Sequence, residues 1–90
     1  MTLSKQANQT RILKLNEVVE QLRISRSSLY LKMNEQTFPP PISLGERSVG
    51  FIALEVDRTL RAMIQGATKE QLQTLVTLMI SERASEEVSL

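Results

Sequence analysis

Apolar and polar positions follow several distinct rhythms along this chain, and each rhythm predicts an element. Residues 1–10 are polar without a period and read as a flexible N-terminal arm. Residues 11–15 form a short extended lead-in, long enough for one brief strand. Val18, Val19 and Leu22 turn inward from a first helix over 17–23, with Asn16 as its cap. Almost no linker follows. Ser25 can accept an unpaired first-turn N–H, opening a second helix over 26–35. Leu29 and Met33 share one face of that helix, and Arg26, Ser27 and Tyr30 share the other.

The prolines at 39–41 stop helical structure, because they lack donors and fix φ; the segment is expected to be extended, with Phe38 tucked beneath it. Residues 42–44 and 48–52 suit two paired strands about a short loop, Gly45-Glu-Arg47. Residues 53–65 read as a third helix, with Leu54, Val56, Leu60, Met63 and Ile64 among its apolar positions and Gly66 as its stop. Thr68 opens a fourth helix running to about 83, with Gln71 at capping-box spacing. Leu72, Leu75, Val76, Met79 and Ile80 form its apolar stripe, and Leu78 lies off it. Residues 84–90 read as a frayed tail.

Helix, tight turn, helix and hairpin in that order predict a mainly α fold with a small β-hairpin. This is a winged helix-turn-helix over 11–65, followed by a C-terminal helix over 66–83. The second helix would be the reading helix and the hairpin the wing, which makes double-stranded DNA the first partner to consider.

Composition narrows the function more than the fold. A chain of 90 residues supports one small core, to which only Tyr30, Phe38 and Phe51 contribute rings. The absence of His and Cys removes disulfides, the common zinc sites and His- or Cys-based catalysis. No phosphate-binding loop or clustered carboxylate pair is present, so an enzyme is not expected, and no cofactor or small-molecule ligand is implied. No apolar run approaches the ~20 residues that span a bilayer, so a soluble cytoplasmic protein without a membrane partner is expected.

The net charge is only +1, yet it is unevenly distributed. Residues 1–65 hold nine Lys and Arg against six acids, and residues 66–90 hold two against four. The first part is therefore expected to face phosphate, and the acidic C-terminal part to lie away from it.

Within that frame, Arg26 sits where the helix dipole disfavours a cation, a position that an approaching phosphate would make favourable. A solvated surface Arg is the plainer explanation. Ser27 and Ser28 can donate to phosphates or base edges, although Ser28, beside Leu29, also suits a cap or a packed position. Tyr30 can lay its ring on the backbone or remain half-buried. Lys32 lies at the edge of the buried face, its stem packed and its amine free. Arg47 at the hairpin tip can reach phosphate or the minor groove, with Ser48 a weaker donor beside it; otherwise Arg47 pairs loosely with Glu46. The stripe containing Leu72, Leu75, Val76 and Met79 can pack on the third helix or form an oligomer interface.

Four segments in fixed order carry a resemblance: Arg11-Ile-Leu-Lys-Leu15, Ile24-Ser-Arg-Ser-Ser-Leu-Tyr30, Phe38-Pro-Pro-Pro-Ile-Ser-Leu-Gly45 and Arg47-Ser-Val-Gly-Phe51. Together they resemble the AlpA family, small prophage and mobile-element regulators with an excisionase-like, MerR-like winged helix-turn-helix. The resemblance runs from about Arg11 to Gln65. It implies that residues 25–35 enter the major groove, that residues 45–49 form the wing, and that the protein acts on transcription of prophage genes or on excision of the element. Two departures are visible. Leu31 stands where many members carry Arg, and Pro40 and Ser43 stand where many carry Lys or Arg. Fewer phosphate contacts follow, which a homodimer or a cooperative array on DNA would offset.

Three functions are therefore in view: a transcriptional regulator binding specific duplex sites, an excisionase-type directionality factor binding near an attachment site, and a protein adaptor using the fourth helix.

Overall fold

The computed structural model describes residues 11–86, with side chains to residue 84; the predicted arm over 1–10 and residues 87–90 lie outside the described residues. The elements run β1 (Ile12–Leu13), α1 (Leu15–Leu22), α2 (Arg26–Asn34), β2 (Ile42–Gly45), β3 (Ser48–Ile52), α3 (Ala53–Ile64) and α4 (Lys69–Glu86). The protein is mainly helical, with a winged helix-turn-helix followed by a C-terminal helix.

The lead-in is a strand that joins the wing. β1 pairs antiparallel with β3, Ile12 opposite Ile52 and Leu13 opposite Phe51, giving the sheet order β1-β3-β2. The backbone then closes a further turn where the Ala53 N–H donates to the Arg11 carbonyl at 2.9 Å. β2 and β3 form the hairpin with an irregularity between Ser43 and Gly45, where the register shifts. Gly50 lies at the centre of this sheet. A Cβ there would collide with the Ile12 side chain and stand 3.0 Å from Leu44 Cδ1, so the glycine lets the flanking strands close over β3.

The first helix begins two residues earlier than its pattern suggests. Lys14, not Asn16, is the N-cap, and the Glu17 carboxylate accepts the Lys14 N–H at 2.7 Å. Asn16 thus lies inside the first turn and its side chain is released for another use. Ser25 caps α2 as expected, accepting the Ser28 N–H at 3.1 Å. α4 opens on a complete capping box: Thr68 accepts from the Gln71 N–H at 3.1 Å, and Gln71 accepts from the Thr68 N–H at 2.9 Å.

Three helices close through a left-handed residue. Arg23 (φ 60°), Gln36 (φ 66°) and Gly66 (φ 87°) follow α1, α2 and α3. In each case the next N–H reaches back five residues, Ile24 to Val19, Thr37 to Lys32 and Ala67 to Ala62.

The core gathers Val18 from α1, Leu29 from α2, Phe38 from the proline segment, Phe51 from β3 and Val56 from α3. The two phenylalanine rings meet edge to face, centroids 6.1 Å apart. α3 buries a narrower stripe than its composition suggests. Val56 and Thr59 are buried, whereas Leu54 and Ile64 are exposed, because the 3.6-residue period carries those two to the outer face.

α4 folds back along α3. Leu72, Val76 and Met79 are buried inside the single chain, so of the two uses open to the stripe most of it takes the first, packing within the chain; Leu75 is partly buried. The large apolar residues that α4 exposes are Leu78 and Ile80. The helix continues to Glu86, past the expected end at 83. Arg83 holds it in place. Its guanidinium donates twice to the buried Glu55 carboxylate, at 2.6 and 2.8 Å, and once to the Pro40 carbonyl at 2.8 Å. The Glu55 hydrogen bond, opposed by partial burial, raises the Arg83 pKa further above its already high ordinary value.

Candidate nucleic-acid interface

α1, the turn at residues 23–25 and α2 place the start of α2 at the molecular surface. Arg26, Ser27, Tyr30 and Leu31 are all exposed there, Tyr30 at 54 % and Leu31 at 55 %. Core contact does not explain exposure of that size for a Tyr and a Leu on a nine-residue helix whose other face buries Leu29. Leu31 is one of the positions at which the sequence departs from the resembled pattern, and its side chain is exposed.

Arg26 is anchored by a neutral group. Its Nη2 donates to Oδ1 of Asn16 on α1, across the helix-turn-helix. No acid lies in the first turn of α2, so the bond orients the guanidinium without neutralising it. With Asn16 expected as a cap, this contact has no sequence signal. Ser28 is drawn into the cap: its Oγ accepts from Ser25 Oγ at 3.0 Å, which leaves its own O–H able to donate. Ser27 is exposed, and Lys32 is partly buried at the edge of the packed face.

The wing presents Arg47 and Ser48, both exposed, with Leu44 and Val49 exposed beside them. Thus the structure puts Arg26, Ser27 and Tyr30 on one surface of α2 and Arg47 and Ser48 on the hairpin. The two groups are joined by the buried stretch Thr37, Phe38 and Pro39.

Charge pairing separates the halves of the molecule. Among the described residues, the three ion pairs are Arg58–Glu82, Arg61–Asp57 and Arg83–Glu55, all on α3 and α4. Arg11, Lys14, Arg23, Arg26, Lys32 and Arg47, the cations of residues 11–52, enter none of them. Sequence reasoning had singled out three of these six. Arg11, Lys14 and Arg23 are further exposed cations, and their only sequence signal was the excess of Lys and Arg over acids in residues 1–65. No group of three or more metal-ligating side chains occurs among the described residues, and no helix there is long and apolar enough to cross a membrane.

Comparison with known proteins agrees with this layout. Residues 11–61, from β1 into α3, match the family described as Prophage CP4-57 regulatory protein (AlpA). The chain belongs to the AlpA family. It is also 34 % identical over 58 residues to a protein of Enterobacteria phage P4 named Uncharacterized protein ORF88; the match covers 64 % of this chain and 66 % of that one. No solved structure matches the chain. The family match stops short of α4, which places the helix-turn-helix and the wing inside the matched region and the packing helix outside it.

Proposed function

We propose that this AlpA-family protein binds specific sites in double-stranded DNA and regulates transcription of prophage or mobile-element genes. The observation that carries this reading is the segregation of charge. Among the described residues, the cations on and around α2 and the wing have no carboxylate partner, while those on α3 and α4, apart from Lys69, are ion-paired. Unpaired, outward-facing cations suit an external polyanion, and the helix and hairpin that carry them are those a winged helix-turn-helix inserts into the grooves.

In this reading Arg26 contacts a guanine edge or a phosphate, and Ser27 and the Ser28 O–H donate to the backbone. Tyr30 packs its ring on the sugar-phosphate chain, Lys32 supplies a flanking charge, and Arg47 and Ser48 hold the wing to the minor groove. The helix dipole of α2 adds to the attraction for phosphate at Arg26. The protein would then act in the cytoplasm, where the DNA is, and without catalysis of its own. A homodimer or an array on DNA would raise its affinity, and an excisionase-type role would show as a long footprint and a bent duplex.

Fluorescence anisotropy on the protein's own upstream DNA and on a scrambled duplex, over a salt series, tests the proposal. The upstream duplex should bind more tightly, with affinity falling linearly in log salt. Arg26→Ala should reduce discrimination between the duplexes by about tenfold, while Arg47→Ala weakens both and lowers the salt slope by about one. Failure of concentrated protein to bind either duplex at low salt would refute it.

A further inference from the structure

We infer that α4 sets the position of the wing relative to the reading helix, with Gln73 and Arg83 as the positioning residues. The inference rests on the DNA-binding reading above. The segment between α2 and β2 carries the geometry that decides whether a helix in one groove and a wing in the next can be seated together. α4 grips that segment at both ends. Gln73 Nε2 donates to the carbonyl of Glu35, the C-cap residue of α2, at 2.9 Å. Arg83 Nη2 donates to the carbonyl of Pro40, two residues before β2, at 2.8 Å.

The two donors stand ten residues apart on one continuous helix, a rise of about 15 Å. A helix is stiff over that length, so it fixes the separation of the two carbonyls it holds. Arg83 is in turn fixed by its two bonds to the buried Glu55 of α3, which ties the strut to the element that follows the wing. Neither Glu35 nor Pro40 presents its side chain to α4 in these bonds. The grip is on backbone, and therefore acts on the path of the chain. The packing of Phe38 and Pro39 anchors the middle of the segment from below, and the Thr37 N–H bond to the Lys32 carbonyl closes its first end onto α2, so α4 spans from that closed helix end at Glu35 to the Pro40 end that leads into the wing.

Gln73→Met tests this best, because it keeps the length of the side chain and removes the amide that donates to Glu35. Thr74→Ala is the control, since that exposed hydroxyl bonds only the Glu70 carbonyl of its own helix. Binding to the upstream duplex is measured well below the thermal transition of every variant, with Arg47→Ala and Arg26→Ala introduced into each background. In the native and Thr74→Ala backgrounds Arg47→Ala should weaken binding about tenfold. In the Gln73→Met background it should cost no more than about twofold, because the wing is no longer seated, while Arg26→Ala keeps its full effect.

An equal loss on Arg47→Ala in the native and Gln73→Met backgrounds would overturn the inference. So would the disappearance of both effects together, which would mean a general loosening. If the native chain binds but Arg47→Ala costs it nothing, the wing contact and this inference fall while the α2 contact stands. If the native chain binds no DNA, the functional reading itself fails and takes the inference with it.

Discussion

The half of the molecule built from β1, α1, α2 and the hairpin and the half built from α3 and α4 contain similar kinds of charged residue but use them differently. On α3 and α4, Arg58, Arg61 and Arg83 each meet a carboxylate within 2.8 Å. In the first half Arg26 leans on a neutral amide, and Glu17 is bound to backbone at a helix start. Net charge alone, at +1, hides this difference. A cation with a partner inside the fold contributes to holding the fold together. One without a partner contributes little to stability and remains available to an outside anion. The arginines therefore fall into two groups: those committed to a carboxylate of the fold, among which the part-buried Arg83 matters most to stability, and those left for an outside anion.

The largest effect is expected in the second half. Arg83→Ala removes both donors from the Glu55 carboxylate, whose side chain is only 9 % exposed, and abandons the Pro40 carbonyl. A buried carboxylate left without a partner costs about 2–4 kcal/mol, the lower end applying because water reaches the Arg83 side. Thermal unfolding should show Tm reduced by more than about 10 °C. A loss of under about 1 kcal/mol would show that the pair is not the clamp described above.

The corresponding structural break in the first half involves no charge. Gly50→Ala drives a methyl group into Ile12 and towards Leu44, across the sheet that joins β1 to the wing. Overpacking of this kind costs about 1–3 kcal/mol, and denaturant midpoints would measure it. The hairpin should also lose its hold on β1, visible as faster hydrogen exchange at the Ala53 amide that donates to Arg11. Unchanged stability would mean that β1 can move aside freely.

How much of this was legible in the sequence depended on whether the determining signal was local. The order of elements was legible because period, prolines and Ser25 are local signals. The ends of α1 and α2 fall within one residue of the expected 23 and 35, although the left-handed closures on Arg23 and Gln36 announce nothing; the third closure falls on Gly66, the expected stop. Asn16 was read as a cap because Asn commonly is one. The helix starts earlier, and the amide instead reaches Arg26, ten residues on. The α4 stripe was visible, but whether it faced its own chain or another was a tertiary question. The α3 partners Glu55 and Thr59 are polar residues on a packing face, where hydrophobic pattern cannot find them. Candidate contacts on α2 and the wing were nameable, but that Arg11, Lys14 and Arg23 enter no ion pair among the described residues required the carboxylates of those residues to be located first.

The smallest effect expected is also the sharpest test of the division. Arg58 and Arg61 lie on the same side of the chain's charge count as Arg26 and Arg47, and by composition alone all four could serve a phosphate. Their ion pairs are well exposed, with side-chain exposures of 42 % and 47 % for Arg58–Glu82 and 72 % and 50 % for Arg61–Asp57. Such pairs contribute no more than about 0.5 kcal/mol each, so Arg58→Ala and Arg61→Ala should leave Tm nearly unchanged. They should also leave DNA affinity and its salt slope at the native values, since each guanidinium already has a carboxylate beside it. A drop in salt slope of about one for either variant, as expected for Arg47→Ala, would place α3 on the DNA. The charge would then be shared across the whole surface, and the pairing would not mark the boundary between the half that binds and the half that braces.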